Sequence, residues 1–190
     1  MRYNLLPFIA ILTLYSCSSQ SYSNTTSKQK REYIEETKEF IKYIRTNEYT
    51  DDTILLVDKP NMKEFNECIN SLFRDTTLFA FDEQEIIKAQ VDEPLLKKWD
   101  TKLVDKAKII SRDTVTAIFK DRNKWWTYFY KYYGESFNTY SAPIFLRNYT
   151  LCLFYSSNSC GGLCGGGQIT LFKKEGNTWK PFKSFCDWVS

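Results

Sequence analysis

The chain has 190 residues, 17% of them aromatic, which suits one globular domain and excludes a disordered chain, since disordered chains are poor in aromatics. Its 26 Lys and Arg interleave with 23 Asp and Glu, so the net charge of +3 leaves no electrostatic footprint for nucleic acid. Histidine is absent, which removes imidazole bases, Ser-His-Asp triads and every zinc site that uses His.

Arg2 precedes an apolar run from Leu5 to Leu14, broken by Pro7 and Thr13. The run is too short to span a bilayer, which takes about 20 apolar residues. It has the form of a secretory signal. It ends Leu14-Tyr15-Ser16-Cys17, which resembles a bacterial lipobox: a leucine three residues before the cysteine and a small residue just before it. The resemblance implies a signal peptide over residues 1–16, cleavage before Cys17, and acylation of the Cys17 thiol and the new amine. Two or three acyl chains would anchor the protein durably, because one chain, at roughly 0.8 kcal/mol per buried methylene, binds only marginally. Residues 17–27 are Ser-, Asn- and Thr-rich without apolar periodicity and read as a flexible tether. The rest, 28–190, reads as a single domain.

The spacing of Tyr33, Ile34, Thr37, Phe40, Ile41 and Ile44 predicts a helix over 28–46, with Thr26 and Gln29 as its capping box. Thr53 to Val57 is a short β-branched and aliphatic run, read as a strand. Pro60-Asn61 opens a second helix with the apolar face Met62, Phe65, Ile69, Leu72 and Phe73. Asp82 and Glu85 cap a third through Gln90, and Pro94 suits a first helical position, so 94–105 is expected to be helical too. Residues 107–120 fit either type. Asp121 to Tyr133 predicts a helix very rich in aromatics. Beyond it, Ile144–Leu146, Thr150–Tyr155, Ile169–Lys174 and Trp179–Phe185 read as strands with turns at Arg147-Asn148 and Glu175-Gly176-Asn177. Helices first and then an antiparallel meander of about four strands give an α+β fold.

Two stretches offer chemistry. The first is Cys160-Gly161-Gly162-Leu163-Cys164-Gly165-Gly166-Gly167, with five of the chain's 7 glycines. A phosphate loop needs a closing Lys-Ser/Thr and a helix; here Gln168 leads into a strand. Three residues separate the cysteines, unlike a Cys-x-x-Cys redox pair, and export favours oxidation over thiolate–metal ligation. The segment therefore reads as a disulfide-closed loop between strands, with no metal or cofactor. In a meander the strand at 179–185 ends beside this loop, so Cys160, Cys164 and Cys186 are expected together as structural thiols. A Cys160–Cys164 bridge leads, a bridge from either to Cys186 follows, and Cys152–Cys186 is excluded at about 10 Å, since strands lie about 4.8 Å apart. Cys68 and Cys152 read as small buried hydrophobes.

The second stretch is the aromatic helix, in which Trp125, Phe129, Tyr132 and Tyr133 share a face. The plainer reading is a helix buried on a wide apolar face, with Lys124 and Lys131 wet. The alternative is a binding surface for a glycan or a protein, formed by Trp125, Trp126, Phe129 and Tyr132. No carboxylate pair is placed for acid–base work, and no catalytic constellation emerges.

Ser141-Ala142-Pro143-Ile144-Phe145, the Cys160-to-Gly167 segment, Lys173-Lys174-Glu175-Gly176-Asn177-Thr178-Trp179-Lys180 and Trp188-Val189-Ser190 together resemble the C-terminus of uncharacterised exported lipoproteins of the Bacteroidota. That family has no assigned activity, so the resemblance brings no catalytic residue. The expected protein is a lipid-anchored, periplasm-facing outer-membrane component. Its domain would serve interaction or binding rather than catalysis, with a thiol-redox or hydrolytic enzyme as the alternative.

Overall fold

The computed structural model describes residues 18–47 and 52–190, so the signal segment and Cys17 lie outside the described residues. Within them the order is α1 (Ser18–Asn47), β1 (Ile54–Val57), α2 (Lys63–Leu72), α3 (Phe81–Asp92), β2 (Ala107–Ile110), α4 (Arg112–Lys120), α5 (Trp125–Tyr132), β3 (Phe137–Tyr140), β4 (Ile144–Leu146), β5 (Leu151–Gly161), β6 (Cys164–Glu175) and β7 (Thr178–Val189). Helix α1 starts ahead of the expected cap at Thr26 and runs through residues read as a tether. Two compact units divide the chain, Met1–Tyr33 and Ile34–Ser190. The described part of the first is helical, with Lys28 and Glu32 at 3.8 Å one turn apart. The second holds every strand and helices α2 to α5.

Seven strands form one sheet in the order β2-β1-β3-β5-β6-β7, with β4 also beside β5. The four predicted strands are β4 to β7, and they do form an antiparallel meander, each paired with the next. The fold is α+β, but the sheet has seven strands rather than about four. Strands β1 and β2 pair in parallel, β1 also runs parallel to β3, and β3 joins the meander antiparallel to β5.

Alternation along β5 decides which helices cover which face. Phe154 and Phe172 face α1, whose Phe40 ring lies edge-on at 5.1 Å from each and 5.3 Å from Trp179. Asn158 shares that side of β5; it pairs with Asn138, and Asn138 with Leu56. Val57 and Phe137 therefore point to the opposite face. There Val57, Ile110, Ile118 and Phe129 make a second buried cluster under α4 and α5.

The segment 94–105 is not a helix. The Asp100 carboxylate accepts the backbone N–H groups of Lys102 (2.8 Å) and Leu103 (3.1 Å), a local turn that competes with helical bonding. The Trp99 N–H donates to the Asp58 carbonyl at 2.7 Å, which holds the chain against the end of β1. Residues 107–120 divide into β2 and α4 at Ser111, whose hydroxyl accepts the Thr114 N–H at 3.0 Å as an N-cap.

The glycine-rich stretch is likewise not a loop. Strand β5 continues to Gly161 and β6 begins at Cys164, leaving Gly162 and Leu163 as the turn of a long hairpin. Glycine is required where β7 crosses: a Cβ on Gly167 would sit 2.6 Å from the Ser157 Cβ and 2.9 Å from the Trp188 Nε1. Side chains there would separate the strands.

Two clamps tie helices to the sheet. Arg147 binds Glu83 through two bonds, 2.7 and 2.9 Å, and donates to the Leu78 carbonyl at 2.9 Å. Glu83 in turn accepts the Ala80 N–H at the start of α3 at 2.9 Å. The second clamp is a disulfide between Cys68 of α2 and Cys186 of β7.

Candidate functional site

The two stretches singled out from the sequence meet in space. Disulfide Cys160–Cys164, with Cα atoms 5.1 Å apart, closes the tip of the β5–β6 hairpin. Helix α5 lies against that tip. Its first residue, Trp125, has φ 37°, a left-handed conformation that costs an aromatic residue of order 1–3 kcal/mol. That backbone sets the indole over the turn, 3.7 Å from where a Gly162 Cβ would stand. One turn on, the Tyr130 hydroxyl donates to the Cys160 carbonyl at 2.8 Å. A Cβ on Gly161 would lie 3.1 Å from that hydroxyl, so the bare glycine is what admits it.

The resulting face is largely aromatic. At the tip Trp125 is 53% exposed and Leu163 91%, with Tyr130 exposed beside them; Tyr132 and Tyr133 are exposed at the far end of α5, Tyr132 against the Tyr128 ring at 4.5 Å. The face carries few charges. Residues 158–168, the part of the hairpin that reaches solvent, contain none. On α5, the Lys131 ammonium sits 5.1 Å from the Tyr132 ring centre and Lys124 5.7 Å from that of Tyr128. Lys124 also lies 3.4 Å from Asp121.

Of the four residues predicted as a binding surface, Trp125 lies at the tip and Tyr132 is exposed farther along α5, against Tyr128. Phe129 is not: its side chain is fully buried against Ile118 and Val57 and belongs to the core. Trp126 is half-buried, 4.7 Å from the Phe119 ring and stacked on Tyr130 at 5.5 Å, and so supports the face from behind. Conversely, the plainer expectation that Trp125 and Tyr132 would be core does not hold. Tyr130 and Leu163 complete the face and were not singled out. Leu163 had a signal, being the lone apolar residue between the two cysteines; Tyr130 belongs to the aromatic run, but its partner lies thirty residues on and nothing local marks it.

The thiols divide differently from expectation in one respect. Cys160–Cys164 is the leading bridge predicted, and Cys152–Cys186 is absent. Cys186, however, does not stand ready to exchange with the tip; it is bonded to Cys68, which had read as a plain hydrophobe. The cause is a kink in β7. Pairing with β6 slips between Gly167 and Ile169, and Cys186, at φ 48°, turns toward α2. Cys152 is free and buried, and burial pushes its thiol well above the ordinary range, so it is not a reactive thiolate.

Two buried carboxylates are engaged structurally. Burial alone would raise Asp58, but the Arg112 N–H (2.8 Å) and Lys98 (3.3 Å) outweigh it and hold the group below its usual range. Arg147, above all, holds Glu83 low. Burial raises the Tyr155 phenol, whose oxygen accepts the Trp188 N–H at 3.2 Å. Among the described residues no group of three or more Cys, Asp or Glu is arranged to hold a metal ion, and no helix is long and apolar enough to cross a membrane. Comparison with protein-family models, curated proteins and solved structures finds no match.

Proposed function

We propose that this protein is a lipid-anchored component of the bacterial cell envelope, held at the periplasmic side of the outer membrane. Its domain acts by binding, through the face that α5 and the β5–β6 tip make together. The observation that carries the reading is this face: exposed Trp125 and Tyr130 of α5 beside exposed Leu163 of a hairpin tip that a disulfide and a tyrosine hydrogen bond hold in place. Rigid aromatics offer contact area at small entropic cost. Contiguous exposed apolar surface on a folded domain marks an interaction site. The N-terminal lipobox supports the anchor, and Cys17→Ala is expected to release the protein from membranes or leave it as a precursor.

The face is tested by oxidative footprinting in isolated envelopes and on the purified protein. A covered face protects Trp125 and Tyr130 in envelopes and exposes them once purified, while buried Trp99 and Trp179 stay unmodified in both. Equal oxidation of Trp125 in the two settings would contradict the reading.

A further inference from the structure

We infer that what covers this face is the interface of a phospholipid bilayer, into which the β5–β6 tip dips Leu163. The inference rests on the proposed binding face and names its occupant. Two observations carry it.

The first is the absence of charge. Two long hairpins leave the same sheet. The β6–β7 turn carries Lys173, Lys174, Glu175 and Lys180, with a Glu175–Lys180 ion pair at 2.8 Å, as suits a turn in water. In the β5–β6 hairpin residues 151–157 and 169–172 are mostly buried in the sheet, and the stretch that reaches solvent, 158–168, carries no charge. An ionised group is costly to bring into hydrocarbon, so only the second hairpin can approach it. Its backbone is also provided for, since β5 and β6 pair up to Gly161 and Cys164 and leave only a two-residue turn outside the ladder.

The second is the order of side chains outward from the domain. Leu163 stands at the turn, almost fully exposed, with the Trp125 indole packed on neighbouring Gly162 and the Tyr130 hydroxyl bonded to Cys160. An aliphatic residue foremost with Trp and Tyr behind it matches the layering of a membrane interface, where amphipathic rings settle at the headgroups. An interfacial element of this kind penetrates only about 5–10 Å.

The test uses the mature protein bound to vesicles of phosphatidylethanolamine and phosphatidylglycerol, with and without bromine on the acyl chains. Brominated chains are expected to quench the tryptophan emission of the wild type. Trp125→Phe is expected to remove most of that quenching, and Leu163→Asp to abolish it while melting and vesicle co-sedimentation stay as in the wild type. Unquenched wild-type emission, or Leu163→Asp quenched like the wild type, would overturn the inference. Should emission stay unquenched while Trp125 is still protected in envelopes, the bilayer is excluded as occupant and the binding face stands. Loss of both signals removes the face as well.

Discussion

Trp125 and Phe129 are one turn apart on α5 and meet opposite environments, which makes the pair a direct probe of the helix's orientation. Phe129 fills the cluster of Val57, Ile110 and Ile118, so Phe129→Ala is expected to cost about 3–5 kcal/mol in a denaturant titration. Trp125 is half-exposed, and Trp125→Ala is expected to shift stability by only about 0.5 kcal/mol. Equal losses from both would place the whole helix in the core. Glu83 is the second informative residue. Its carboxyl is held below the ordinary 4.5, mainly by Arg147, so the native state favours the ionised form. Its contribution is therefore complete above the unfolded-state value and is lost as pH falls through the lower folded one. Glu83→Gln is expected to lower stability by about 1–3 kcal/mol at neutral pH. Below pH 4.5 the urea midpoints of variant and wild type should converge; a constant gap down to low pH would contradict the assignment.

At the scale of elements, the two disulfides do different work. Cys68–Cys186 joins residues 118 apart and fixes α2 to the kinked edge strand. In the chain-entropy model a loop of that size contributes about 4–5 kcal/mol, against about 2 for the five-residue ring at the tip. The double variant Cys68→Ala/Cys186→Ala is thus expected to melt well below Cys160→Ala/Cys164→Ala, with Cys152 unreactive toward alkylation in both native states. The reverse order would contradict the fold. Legibility in the sequence follows the same division between local and distant causes. Helices α1 and α2 announce themselves because one stripe of each is buried, and β4 to β7 because aliphatic runs alternate with turn residues. Strand β3 was missed because its inward residues include Asn138 and Thr139, buried polar groups that carry no hydrophobic pattern; Asn138 accepts a bond from Asn158 instead, at 3.2 Å. Pro94 pointed to a helix that Asp100 and the Asp58–Trp99 contact prevent. Glycine and serine at 156–167 read as a loop, yet they are what lets β7 and Trp188 lie close over the hairpin.

For the molecule as a whole, each half of the candidate site was visible in the sequence and their meeting was not. The aromatic run and the Cys-Gly segment stand out by composition, but the Tyr130–Cys160 bond spans 30 residues and depends on α5 crossing over β1 and β3 to reach the tip. The cysteine pairing was hidden for the same reason, since α2 meets β7 only after five intervening strands are in place. The central claim is that helix and tip form one rigid face. Hydrogen–deuterium exchange over residues 156–167 tests it most directly, in the wild type and in Trp125→Ala combined with Tyr130→Phe. Slow exchange is expected across the hairpin in the wild type, and faster exchange confined to the tip in the double variant, with β6–β7 unchanged. Rapid exchange at the tip of the wild-type protein, or a double variant that exchanges like it, would contradict the claim.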